Sequence, residues 1–149
     1  MKRIIVAVSL SIIPVLSAGA GQLAYAQDHS HGHHDREAGI SGLGLNHGQQ
    51  WEMDEHTRTM LVKMEATFFA ADHSSQAGLN AAGAELKAHL DDLIAGCTMA
   101  GEAHDQLHVF MTEYIPAIDL LAQAGDYAAA RDAAIKLKGY FGTYKKYFR

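Results

Sequence analysis

From Trp51 onward, apolar residues return at three- and four-residue intervals, the spacing of a helix with one buried face. A first helix is predicted from about Asp54, as N-cap, to Asp72. Met53, His56 or Thr57, Met60, Met64, Thr67 or Phe68 and Ala71 run along one side of it. Asp72-His73-Ser74-Ser75 reads as a short turn that ends in a new N-cap. A second helix follows from about Gln76 to Ala95. It carries Leu79, Ala82, Leu86, Leu90, Leu93 and Cys97 on a heptad-like seam, and Gly96 is placed to stop it. A third begins near Glu102 and turns His104, Leu107, His108, Met111, Tyr114, Ile115, Ile118 and Leu121 inward, with Pro116 expected to kink it. Beyond Gly125-Asp126, a fourth runs from about Tyr127 to the C-terminus, with Ala130, Ala134, Leu137, Phe141, Tyr144 and Phe148 inside. Gly139 and Gly142 each cost that helix roughly 1 kcal/mol relative to Ala. The expectation is that they admit a close neighbour or a ligand.

Four helices of similar length with short connections predict an all-α fold, an antiparallel up-down-up-down four-helix bundle over residues 51–149. Roughly a hundred residues suffice to bury a core without disulfides. The chain shows neither β alternation nor a Gly-rich phosphate loop.

The pattern is different before Trp51. Residues 27–50 are rich in Gly, His and polar residues and have no period, which reads as a flexible leader. His29, His31, His33 and His34 form an imidazole cluster within it, either a loose trap for zinc, copper or nickel or a solvated spacer. Ahead of the leader stand the positive Met1-Lys2-Arg3, an apolar run from Ile4 to about Leu16, and Ala24-Tyr25-Ala26. Together these have the make-up of a cleaved signal peptide over residues 1–26, and so predict export to the periplasm. No apolar stretch is long enough to span a membrane. The full chain has 12 Lys and Arg against 17 Asp and Glu. Removing Lys2 and Arg3 with the signal leaves a net charge of about −7, which argues against nucleic acid as a partner.

Charge leaves open what the protein binds; the sulfur and imidazole donors narrow it. Cys97, Met99, His104, His108 and Met111 fall within fifteen residues. His104, His108 and Met111 stand at i, i+4 and i+7, hence on one helix face. Thiolate, thioether and imidazole suit copper(I) and, less well, zinc. An alternating bundle would gather such donors at one pole: Met53, His56 and Met60 from the first helix, His89 and Cys97 from the second, His104 and His108 from the third. Counting ~1.5 Å per residue puts Met60 and His108 in one layer and Cys97, Met53, His56 and His104 in the layer nearer solvent. Met60, Cys97 and His108 are therefore the expected copper(I) ligands, with His104 or His56 completing a tetrahedral zinc site and Met53 nearby.

Other readings stand beside this one. A Met on an apolar face is usually core filler, the reading favoured for Met64 and Met111. His89 is expected on the polar flank, and His56 also fits a first-turn surface residue. A lone exported cysteine is buried, paired between two chains in a homodimer, or holding a metal. The functional expectation is a copper(I) chaperone, buffer or resistance factor that exchanges its ion with another protein. A structural or partner-binding bundle is the competitor. No nucleophile–base or carboxylate pair points to an enzyme.

The last hairpin, Leu121-Ala-Gln-Ala-Gly-Asp-Tyr-Ala-Ala-Ala-Arg-Asp-Ala-Ala-Ile-Lys-Leu-Lys138 with the ending Tyr144-Lys-Lys-Tyr-Phe-Arg149, resembles that of the cytochrome b562 family. The resemblance covers about thirty residues and implies a periplasmic four-helix bundle. That family holds haem b between a methionine near the start of helix 1, here matched by Met60 or Met53, and a histidine late in helix 4. Lys145 occupies the matching position, and helix 4 contains no histidine. The resemblance therefore implies the layout without the haem ligation, and a b-type electron carrier is the secondary expectation. The middle of the chain is also similar to uncharacterised exported bundle proteins, through Trp51 with Asp54, Cys97, and Leu107-His108.

Overall fold

A computed structural model describes residues 39–149. The signal-peptide reading and the His29–His34 cluster lie outside the described residues. Four helices account for most of the remainder: α1 (Glu55–Ala70), α2 (Gln76–Gly96), α3 (Gly101–Ala122) and α4 (Tyr127–Tyr147). They form an all-α bundle, with no extended strand among the described residues.

Three helix starts follow directly from side-chain chemistry. Asp54, Ser75 and Asp126 each accept the backbone N–H of the residue three positions on, Thr57, Gly78 and Ala129. Each bond satisfies a donor that the helix itself leaves unpaired. The start of α3 has no such cap. There the turn relies on Gly101 at φ +67°, a conformation that disfavours residues with a Cβ. The second carboxylate oxygen of Asp54 reaches across to the backbone N–H and hydroxyl of Thr98, tying the start of α1 to the α2–α3 turn. α3 continues through Pro116.

α2 packs against all three other helices. Partners along each pair run in opposite sequence order. Asp54 meets Thr98 and Thr67 meets His89 between α1 and α2. Lys87 meets Asp119 between α2 and α3, and Glu113 meets Tyr140 between α3 and α4. Between α2 and α3, Gly83 lies so close to the Leu121–Ala122 backbone that a Cβ would collide with it. The core centres on Phe68, Phe110, Tyr114, Tyr140 and Phe141, with Leu61, Met64, Leu86 and Leu137 around them. No helix among the described residues is long and apolar enough to cross a membrane.

Two expectations need correcting. The leader does not run free to residue 50, because Ile40 is buried and Leu43 packs on the core. The amide of Gln106 pins this stretch by accepting the Gly44 N–H, while the Trp51 indole donates to the Gly44 carbonyl. Trp51 and Met53 then exchange backbone hydrogen bonds with Tyr147 and Arg149, so the segment closes over the end of α4. The second correction concerns glycine. Nothing among the described residues lies within 4 Å of a Cβ placed at Gly139 or Gly142, so neither admits a close neighbour from them. The close approaches are on α2, at Gly78, Gly83 and Gly96.

Candidate metal centre

His104 and His108 sit one turn apart near the start of α3. Their Nε2 atoms are 3.0 Å apart, with rings edge to face and centroids 4.5 Å apart. A contact of that length requires one ring to donate its Nε2 proton to the lone pair of the other. His104 is partly buried and His108 is exposed. Both line a groove between α2 and α3 with a volume of about 160 Å³. Cys97, Met111, Leu93, Ile94, Leu107 and Ile115 complete its walls. The groove exists because the short link from Cys97 to Ala100 sets the end of α2 beside the start of α3, and Cys97 itself is a free, partly buried thiol.

Of the six expected ligands, Cys97, His104 and His108 therefore share one concavity. The other three lie elsewhere. Met60 is 8% exposed and shares the inward face of α1 with Leu61, Met64 and Phe68, as helical spacing from those residues requires. It lines no part of the groove. Met53 is buried where its backbone pairs with Arg149, at the end of the chain. His56 is exposed, its ring lying over Gly96 and its Nε2–H donating to the Asp92 carbonyl. It is thus committed to the backbone one turn before the end of α2. Met60 is packed in the core of the bundle whereas His108 stands exposed in the α2–α3 groove, so the two do not share that concavity.

Met111, expected as core filling, is buried in the core at 8% exposure and also lines the groove. Its position, three residues after His108, was the available signal. His89 is misplaced by the sequence reading, since it is buried and bonded to the Thr67 hydroxyl at 3.2 Å. Among the described residues, no three His, Cys, Asp or Glu side chains already converge as a cage for a metal ion. The preformed element is the imidazole pair, in a groove that Cys97 and Met111 also line.

The surroundings are acidic. Residues 88–130 contain seven Asp and Glu and no Lys or Arg. Lys87 neutralises Asp119 and Lys136 faces Glu113 at 3.6 Å, but Asp91, Asp92, Glu102 and Asp105, which neighbour groove residues in sequence, have no ion-pair partner among the described residues. A field of one sign over a low-dielectric wall raises the local concentration of cations. Asp54 stands at the same end. Desolvation pushes its carboxyl up, but the N–H donors of Thr57 and Thr98 and the Thr98 hydroxyl outweigh this and hold it well below the usual carboxylate range. Lys145 donates to Glu65 at 2.6 Å. Compared with known protein families, curated proteins and solved structures, the chain finds no match.

Proposed function

We propose that this protein is a periplasmic carrier or buffer of copper(I), which it takes up in the α2–α3 groove. The observation that carries the reading is the His104–His108 imidazole pair in a concavity that also presents a thiol and a thioether. His104 and His108 supply nitrogen, Cys97 binds as thiolate, and Met111 takes the place first assigned to Met60. Two to four ligands of this softness suit copper(I) better than zinc, which favours a closed tetrahedral cage. Side-chain rotation brings the sulfurs onto the ion.

This placement rests on an up-down-up-down order of the helices, which the reversed partner order along successive pairs supports. The cytochrome b562-like layout is part of the same proposal and is supported by the helix number and the final hairpin. Exported copper carriers exchange their ion with another protein, and the exposed His108 leaves the groove accessible to one.

The test is a copper(I) titration of the full chain against a competing chelator. Cys97→Ala and His108→Ala are expected to weaken binding at least tenfold each, and lower pH to weaken it further as the ligands protonate. Unchanged affinity in both variants would remove the site. A Soret band on adding haemin, without copper binding, would instead make the protein a b-type carrier.

A further inference from the structure

A second concavity lies away from the first, between α1, the start of α2 and the first half of α4. Phe68, Phe69, Leu79, Ala134 and Ile135 form its walls, His73 stands at one end, and Arg131 and Lys138 line it as well. Its volume is about 320 Å³, enough for a small molecule. The inner face of α4 here is alanine (Ala130, Ala133, Ala134), which lets α4 draw towards α2 and leaves room beside α1. Two large apolar side chains remain open to solvent in it, Phe69 at 53% and Ile135 at 62%. Phe68 and Phe69 both pack on Phe141, at 5.4 and 6.1 Å between centroids, so the floor is rigid and aromatic.

The charge here has the opposite sign to that of the first groove. Among the described residues, no Asp or Glu lines the cavity. Residues 131–149 contain six Lys and Arg and a single acid, Asp132. Arg131 faces that neighbour only at 4.0 Å, with both side chains well exposed, so solvent screens the pair. Lys138 has no ion-pair partner among the described residues, unlike Lys145, which holds Glu65. His73 donates its Nε2 proton to the Phe68 carbonyl at 2.7 Å, so that donor is already in use.

We propose that this cavity binds a free medium-chain carboxylate. The tail lies on Phe68, Phe69, Leu79 and Ile135, and the head sits between Arg131 and Lys138. These two residues are seven positions apart on α4, about 10 Å along the axis, and their long side chains reach a head group between them from either side. Arginine also matches a carboxylate with two parallel donors. A tail of roughly eight to ten carbons fits a cavity of this class.

Calorimetric titration of the full chain with sodium decanoate, below its micelle concentration, tests this. Saturable one-to-one binding is expected. Joint substitution Arg131→Gln and Lys138→Gln should weaken it at least tenfold. Ile135→Glu, at an exposed position that leaves folding intact by circular dichroism, should weaken it similarly by placing a carboxylate beside the head group. Decanol, with the same tail and no charge, should bind far more weakly. His104→Ala with His108→Ala should leave decanoate binding unchanged, since the proposal does not depend on the metal site. Non-saturating decanoate, equal affinity in the charge variants, equal binding of decanol, a loss on changing the histidines, or binding to phosphatidylglycerol vesicles but not to decanoate would each overturn it.

Discussion

The α2–α3 groove and the α1–α4 cavity belong to one small bundle and differ in almost every property that selects a ligand. The first is narrow, presents nitrogen and sulfur donors, and is flanked by acids. The second is twice the volume, floored by aromatic rings and flanked by bases. The chain achieves this by segregating charge along its length. Residues 88–130 have no Lys or Arg, and residues 131–149 have one acid. Arg131 and Lys138 of the second segment line the α1–α4 cavity, while the two segments meet elsewhere, where Lys136 faces Glu113 at 3.6 Å. Charge then selects cation or anion, while donor softness and cavity volume select which cation and which anion.

The sharpest way to break the comparison is at the contact that sets α2 against α3. Gly83→Val should destabilise by about 3 kcal/mol or more, because the neighbouring atoms are α3 backbone and cannot rotate away. A urea midpoint close to wild type would show that the helices do not meet there. Next in size is Asp54→Ala, expected to lose about 1–2 kcal/mol through the N-cap and the Thr98 anchor beside Cys97. Because the carboxyl titrates lower in the folded state, its contribution is complete above about pH 4 and fades as pH falls towards the folded-state value. The gap between wild type and variant should therefore narrow when urea melts at pH 7 are repeated at pH 3.

On the basic side the sign reverses. Gly139→Ala meets nothing and removes backbone freedom, so a gain of about 0.5–1 kcal/mol is expected in the same melts. The smallest effect concerns the core between the two grooves. The Tyr114 hydroxyl is buried without a partner among the described residues, and desolvation, then the charge of Glu65, pushes its pKa far up. Tyr114→Phe should be neutral or stabilise by up to about 1 kcal/mol in thermal melts.

Helix number, type and ends were legible because the 3.6-residue period and the caps Asp54, Ser75 and Asp126 are local signals. So was the grouping of Cys97, His104 and His108, which a four-residue connection brings together whatever the rest of the bundle does. Placing Met60 or His56 with them needed the rotation of α1 about its own axis. That rotation is set by how Leu61, Met64 and Phe68 pack against other helices, and no local pattern reveals it. The docking of Ile40 and Leu43 was hidden for the same reason, since two apolar residues in a Gly-rich stretch carry no period. Gly83 could not be told from Gly139 by sequence, because each looks like a glycine inside a helix. Only the neighbour distinguishes them.

X-ray absorption at the copper edge tests the central claim most directly. The sample is the copper(I)-loaded full chain in which His29, His31, His33 and His34 are serine, so that only the bundle supplies ligands. Imidazole nitrogen together with sulfur around copper is predicted, with the sulfur signal reduced in Cys97→Ala and the nitrogen signal reduced in His104→Ala with His108→Ala. A shell of oxygen alone, or one that none of these substitutions alters, would contradict the account.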